Sequence, residues 1–113
     1  MQSLSQADIA DRMTILTLKY EAGFTEVLAE LGRLADECLV SSNLIEALYK
    51  VNKQAWEAVL QVTEHFENRK ILPDTELIDW CRKAHVLNKE RIALKNQISE
   101  KFKQNKECKT WAV

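Results

Sequence analysis

At 113 residues the chain has room for one domain with a modest core that needs no disulfide or metal staple. Its make-up, 46% hydrophobic and 29% charged with two glycines and one proline, argues against sheets joined by tight turns and for long helices with few connections. A formal net charge of −1 gives no reason to expect a nucleic-acid partner, and no apolar run approaches the ~18 residues a membrane span needs.

The opening residues, MQSLSQADIADR, lack a basic region followed by an apolar one, so no secretory leader is expected. Cys38, Cys81 and Cys108 are odd in number and widely spaced, as expected for reduced thiols of a cytoplasmic protein. Ser5-Gln6-Ala7-Asp8 starts the first predicted helix: the hydroxyl caps a free amide and Asp8 favours the positive helix end. From there Ile9, Met13, Leu16, Tyr20, Gly23, Val27, Leu31, Leu34 and Cys38 step by three or four without losing phase. That continuity favours one helix over about 5–39, roughly 50 Å long, with Gly23 the place for a kink or break. Ile15 and Leu18 lie off the seam and give this helix a second apolar margin.

Val40-Ser41-Ser42-Asn43 reads as the first turn, with Ser42 or Asn43 as cap. A second helix is predicted over about 43–70. One of its stripes is Leu44, Leu48, Val51, Ala55, Ala58, Val62 and Phe66; beside it run Ile45, Tyr49, Asn52, Trp56 and Val59. Pro73 ends that stretch and Asp74 opens a third helix, predicted over 74–104, with an irregular tail over 105–113 that Trp111 would dock. The expected fold is therefore all-α: an elongated antiparallel three-helix bundle. Helices apolar on more than one stripe point further to a homodimer that completes a larger bundle.

The third helix carries the chemical oddity. Trp80, Ala84, Leu87, Leu94 and Ile98 follow one seam, and Arg91 falls inside it, with Asn88 three residues before and Lys95 four after. A charge on a core-facing stripe needs a partner, a water path or a ligand, because desolvating it alone costs several kcal/mol. With Asn52 and Trp56 on the second helix and Lys19 on the first, these residues form a candidate anion pocket for a carboxylate or phosphate. The structural alternative is that a buried Asn sets register while Arg and Lys reach out past the rim.

Two metal readings are weaker. Glu64-x-x-Glu67 and Glu76-x-x-Asp79 face each other across the second turn and would offer Mg²⁺ four carboxylates. The arrangement is similar to that of the all-helical nucleotide pyrophosphohydrolases, although only eight residues, Pro73 among them, separate the pairs. Solvated helix ends offset by Arg69 and Lys70 are the plainer account. Cys81 and His85, four apart, would form half of a zinc site, with His65 and Cys38 as the remaining candidates. No phosphate loop or serine elbow is present, and no cofactor is expected.

Three stretches carry a resemblance. They are Asp11-Arg12-Met13-Thr14-Ile15-Leu16-Thr17-Leu18-Lys19, the run from Leu48 to Trp56, and the run from Leu87 to Ile98. Together with the Lys109-Thr110-Trp111 ending they resemble a family of small bacterial all-helical proteins with an Asp-x-Ile-Thr-Ile-Leu-x-x-Lys-like opening motif. The chain departs from that pattern at Met13, Thr17 and around Gly23. The family has no established activity. The resemblance implies an accessory role in cell-surface glycan assembly and marks Lys19, Asn52, Trp56, Asn88, Arg91 and Lys95 as matched positions. The function expected is a non-enzymatic, self-associating interaction module with a protein partner. The alternatives are a small-anion binder or enzyme on the Lys/Asn/Arg face and a Mg-dependent pyrophosphohydrolase.

Overall fold

The computed structural model describes residues 4–110, with side chains described as far as Phe102. It is all-helical in this range: α1 (Gln6–Glu21), a 3-10 turn (Thr25–Val27), α2 (Leu28–Glu37), α3 (Ser42–Phe66) and α4 (Asp74–Thr110). The molecule measures 54 × 31 × 27 Å.

Four α-helices stand where three were expected, because the first predicted helix reverses at Gly23. Gly23 adopts φ 104, a left-handed conformation that costs a residue with a Cβ about 1–2 kcal/mol. The Gly23 amide donates to the Tyr20 carbonyl at 3.0 Å and the Phe24 amide to that of Lys19 at 3.0 Å. These two bonds satisfy carbonyls that a helix end otherwise leaves open. The chain then turns back, and α2 lies antiparallel on α1. Ile9, Leu16 and Leu34 form one buried cluster with Met13, Val27, Leu31 and Cys38 around it. The unbroken 3–4 seam is thus real, but it folds onto itself. Gln6 closes the far end, donating to the Glu37 carbonyl at 3.2 Å and accepting from the Leu39 amide at 2.7 Å.

The reversal changes every later direction. Ala7 and Ala10 pack with Leu48 and Ile98, and Asn52 reaches Asp11 and Thr14, so residue numbers rise together along α1 and α3. Arg91 meets Asp11 and Lys95 meets Asp8, so α4 runs opposite to α1. The order is up-down-up-down, with α1 parallel to α3. A single first helix through Leu39 would have made α1 antiparallel to α3 instead.

The remaining boundaries shift for local reasons. Ser5 caps α1 as expected, its Oγ accepting from the Asp8 amide at 3.1 Å. The α3 cap position is Ser41, one residue before Ser42 and two before Asn43, and the Ser41 carbonyl accepts from Ile45. α3 stops at Phe66 because Asn68 takes φ 60, and the Asn68 and Arg69 amides bond back to His65 and Glu64. Helix α4 starts at Asp74 as predicted and continues to Thr110, past Gln104 where the irregular tail was expected. Trp111 lies outside the described residues.

α1 therefore packs on two sides: α2 on its Ile9/Met13/Leu16 stripe, α3 and α4 on the other. It has only 16 residues against 25 in α3, about 24 Å against 37 Å by the helical rise. The rest of the α3–α4 hairpin is a bare pair. Its cluster of Val51, Ala58 and Leu87, with Ala55, Trp80, Ala84 and Leu94 around it, is built by those two helices alone. Towards the hairpin tip Val59, Phe66, Ile71 and Ile78 stay exposed.

Candidate functional site

Arg91 meets a carboxylate. On α1 the residues Ala7, Asp11, Thr14 and Leu18 form a ladder of 3–4 steps buried against α3 and α4, and Asp11 is only 5% exposed. Arg91 lies opposite on α4 and grips Asp11 with two N–H groups, Nε to Oδ1 at 2.9 Å and Nη2 to Oδ2. The Asn52 amide, from α3, donates to Asp11 Oδ1 at 3.0 Å and to Thr14 Oγ1 at 2.7 Å, and the Thr14 hydroxyl donates to the Asp11 carbonyl. One turn along, Lys95 Nζ sits 3.2 Å from Asp8 and 3.9 Å from Asp11. Three helices meet at one carboxylate.

Burial pushes the Asp11 carboxyl up. Hydrogen bonds from Arg91 and Asn52, with the charges of Arg91 and Lys95, outweigh it and hold the group below the usual aspartate range. The Ser5 hydroxyl, followed by Lys95, lowers Asp8. The Asp11 hydrogen bond raises Arg91. No buried side-chain nitrogen or oxygen among the described residues lacks a partner.

Of the six residues picked out in the sequence, Asn52, Arg91 and Lys95 converge on this network. Lys19 does not. It is exposed, and lines a recess of about 360 Å³ with Asp8, Asp11, Arg12 and Arg91. Trp56 and Asn88 line a second recess of about 350 Å³ beside Asn52 and Arg91. Among the described residues the Trp56 indole N–H makes no hydrogen bond to Asn52, whose amide nitrogen donates to Asp11 and Thr14.

In the sequence Asp11 and Thr14 stand out only as motif residues, and Asp8 only as a helix-end charge. The signal that would have found them is the Asp11–Thr14 step on a second 3–4 ladder beside the main seam, the acidic counterpart of Arg91 within its own.

Among the described residues no three His, Cys, Asp or Glu side chains are grouped to hold a metal ion. Glu64, Glu67, Glu76 and Asp79 are not brought together as a ligand set, and Glu67 instead pairs with Arg69 at 2.6 Å. His65 Nδ1 accepts from the Leu72 amide at 3.0 Å, and Cys38 packs against α1, away from the exposed Cys81 and His85.

Comparison of the chain with protein-family models, curated proteins and solved structures finds no match. No helix among the described residues is long and apolar enough to cross a membrane.

Proposed function

We propose that the protein is a non-enzymatic helical module that pairs with a second copy of itself through the bare half of the α3–α4 hairpin. The observation that carries this is the mismatch in length: α1 covers one half of the hairpin groove, while Val59, Phe66 and Ile78 stay 48–69% exposed on the other. Charge favours a second copy as the occupant. Glu64, Glu67, Asp74, Glu76 and Asp79 outnumber Arg69 and Lys70 and leave the tip net acidic, while Lys53, Arg82, Lys83 and Lys89 outnumber Glu57 and Glu90 further up the same hairpin. Two hairpins laid antiparallel would set tip against waist twice, the self-complementary pattern of a two-fold contact. The result is the larger bundle expected from the apolar stripes.

This reading ranks above an anion binder or enzyme on the Lys19, Asn52, Asn88, Arg91 and Lys95 face because Arg91 and Lys95 already face Asp11 and Asp8. It ranks above a pyrophosphohydrolase because the four tip carboxylates form no ligand group. The cytoplasmic setting, a further protein partner and an accessory role in glycan assembly rest on the cysteines and on the family resemblance.

Light scattering after gel filtration tests the pairing. The wild-type chain should run at twice its 13.1 kDa mass. Phe66→Asp should return it to the monomer with an unchanged helical spectrum, since Phe66 is 69% exposed. A wild-type monomer at high micromolar concentration would sink the proposal.

A further inference from the structure

The second recess has the features of a ligand site, and its chemistry differs from that of an anion pocket. It lies where α1 ends in the hairpin groove. Ile15 and Leu18 of α1, Asn52 and Trp56 of α3, and Asn88 and Arg91 of α4 contribute to its wall. Asn52 is only 6% exposed, and its amide nitrogen is fully used by Asp11 and Thr14. Its Oδ1 accepts from no described residue, yet no buried side-chain oxygen is left without a partner; Oδ1 therefore keeps some exposed surface, and Asn52 is among the residues that line this recess. Arg91 holds Asp11 through Nε and Nη2, which leaves Nη1 without a described partner. Arg91 lines both recesses, whereas Asp11 lines only the first. The exposed Asn88 amide makes no hydrogen bond to a described residue and stands at the mouth.

We infer that this recess binds a small neutral molecule that presents a carbonyl oxygen and an adjacent N–H from a flat apolar body. The carbonyl accepts from Arg91 Nη1, the N–H donates to Asn52 Oδ1, Asn88 serves either atom, and the ring lies among Trp56, Ile15 and Leu18. A carboxylate fits worse for two reasons. Asp8 and Asp11 already balance Arg91 and Lys95. A second oxygen without hydrogen would also face Asn52 Oδ1, acceptor against acceptor. The size suits a single ring system, near the lower end for small-molecule sites. This goes beyond self-association, because each polar group named belongs to one chain.

Nicotinamide and nicotinate, which differ only in the amide against the carboxylate, are the probes. In a titration of the 15N-labelled full chain, nicotinamide should shift the Trp56 indole and the Asn88 side-chain amide along one saturable curve. Nicotinate should bind roughly tenfold more weakly, the ratio for one mismatched hydrogen bond. Asn88→Ala should weaken nicotinamide several-fold with an unchanged melting temperature. Val59 belongs both to this wall and to the proposed pairing face, so the monomeric Phe66→Asp variant should bind nicotinamide at least as tightly as wild type, which separates this site from the dimer. No saturable shift with nicotinamide overturns the inference, as does equal or tighter binding of nicotinate. Loss of binding in Phe66→Asp would overturn it too, by making the site a property of the assembly.

Discussion

Asp11→Ala is expected to destabilise the protein by about 3 kcal/mol, the low end for removing one partner of a buried ion pair. In a domain of this size that lowers the melting temperature by more than about 10 °C. The cost comes from what is left behind. Arg91 keeps a charge that is two-thirds shielded from solvent, and Asn52 loses one of its two acceptors. Asp11→Leu combined with Arg91→Met should recover much of the loss, because two apolar side chains leave no buried charge. Thermal melts of the two single variants and the pair measure the coupling. A single variant within a degree or two of wild type would show that the network carries no stability.

The same carboxylate sets an acid limit. Its folded pKa lies below the ordinary aspartate value, so its contribution is complete above about pH 4, the unfolded value. It is lost as pH falls through the folded pKa. Melting temperatures of wild type and Asp11→Ala should therefore converge below about pH 4 and stay apart above it.

Leu48→Ala should cost at least as much, about 3 kcal/mol or more within the usual range for a buried leucine. Leu48 has no exposed surface and is the point where Ala7 and Ala10 of α1 meet Ile98 of α4. Two alanines beside it leave little side chain to collapse into the hole, which keeps the cost from falling. Denaturant unfolding with an unchanged slope measures it. A loss under about 1 kcal/mol would mean that α1 does not pack parallel to α3 at this point.

The all-helical class, the starts of α1 and α4 and the Arg91 anomaly were legible because each has a local cause: Ser5, Pro73-Asp74, and a cation on an apolar ladder. The reversal at Gly23 was not. Ile9 to Cys38 keep one phase whether the helix continues or doubles back, since both arrangements bury the same stripe. Only the glycine's left-handed backbone separates them, and a glycine within a helix is also tolerated. Asn68 ends α3 by the same device with less warning, because asparagine adopts that conformation less often than glycine. Asp11 was hidden for a different reason. A lone carboxylate near a helix start has a ready explanation in the helix dipole, and its partner stands 80 residues away. Lys19 was grouped with Asn52 and Arg91 by residue type alone, and the turn of α1 carries it to the neighbouring recess.

The polar cluster also divides the chain. The part through Leu39 holds three Lys or Arg against seven Asp or Glu, a net −4; the part after it holds thirteen against ten, a net +3. α1–α2 and α3–α4 are thus two oppositely charged halves, each a helical hairpin with its own reversal, joined through the exposed Leu39. A cut in that joint would yield fragments equipped to find each other again, with Asp8 and Asp11 on one piece keyed to Lys95 and Arg91 on the other.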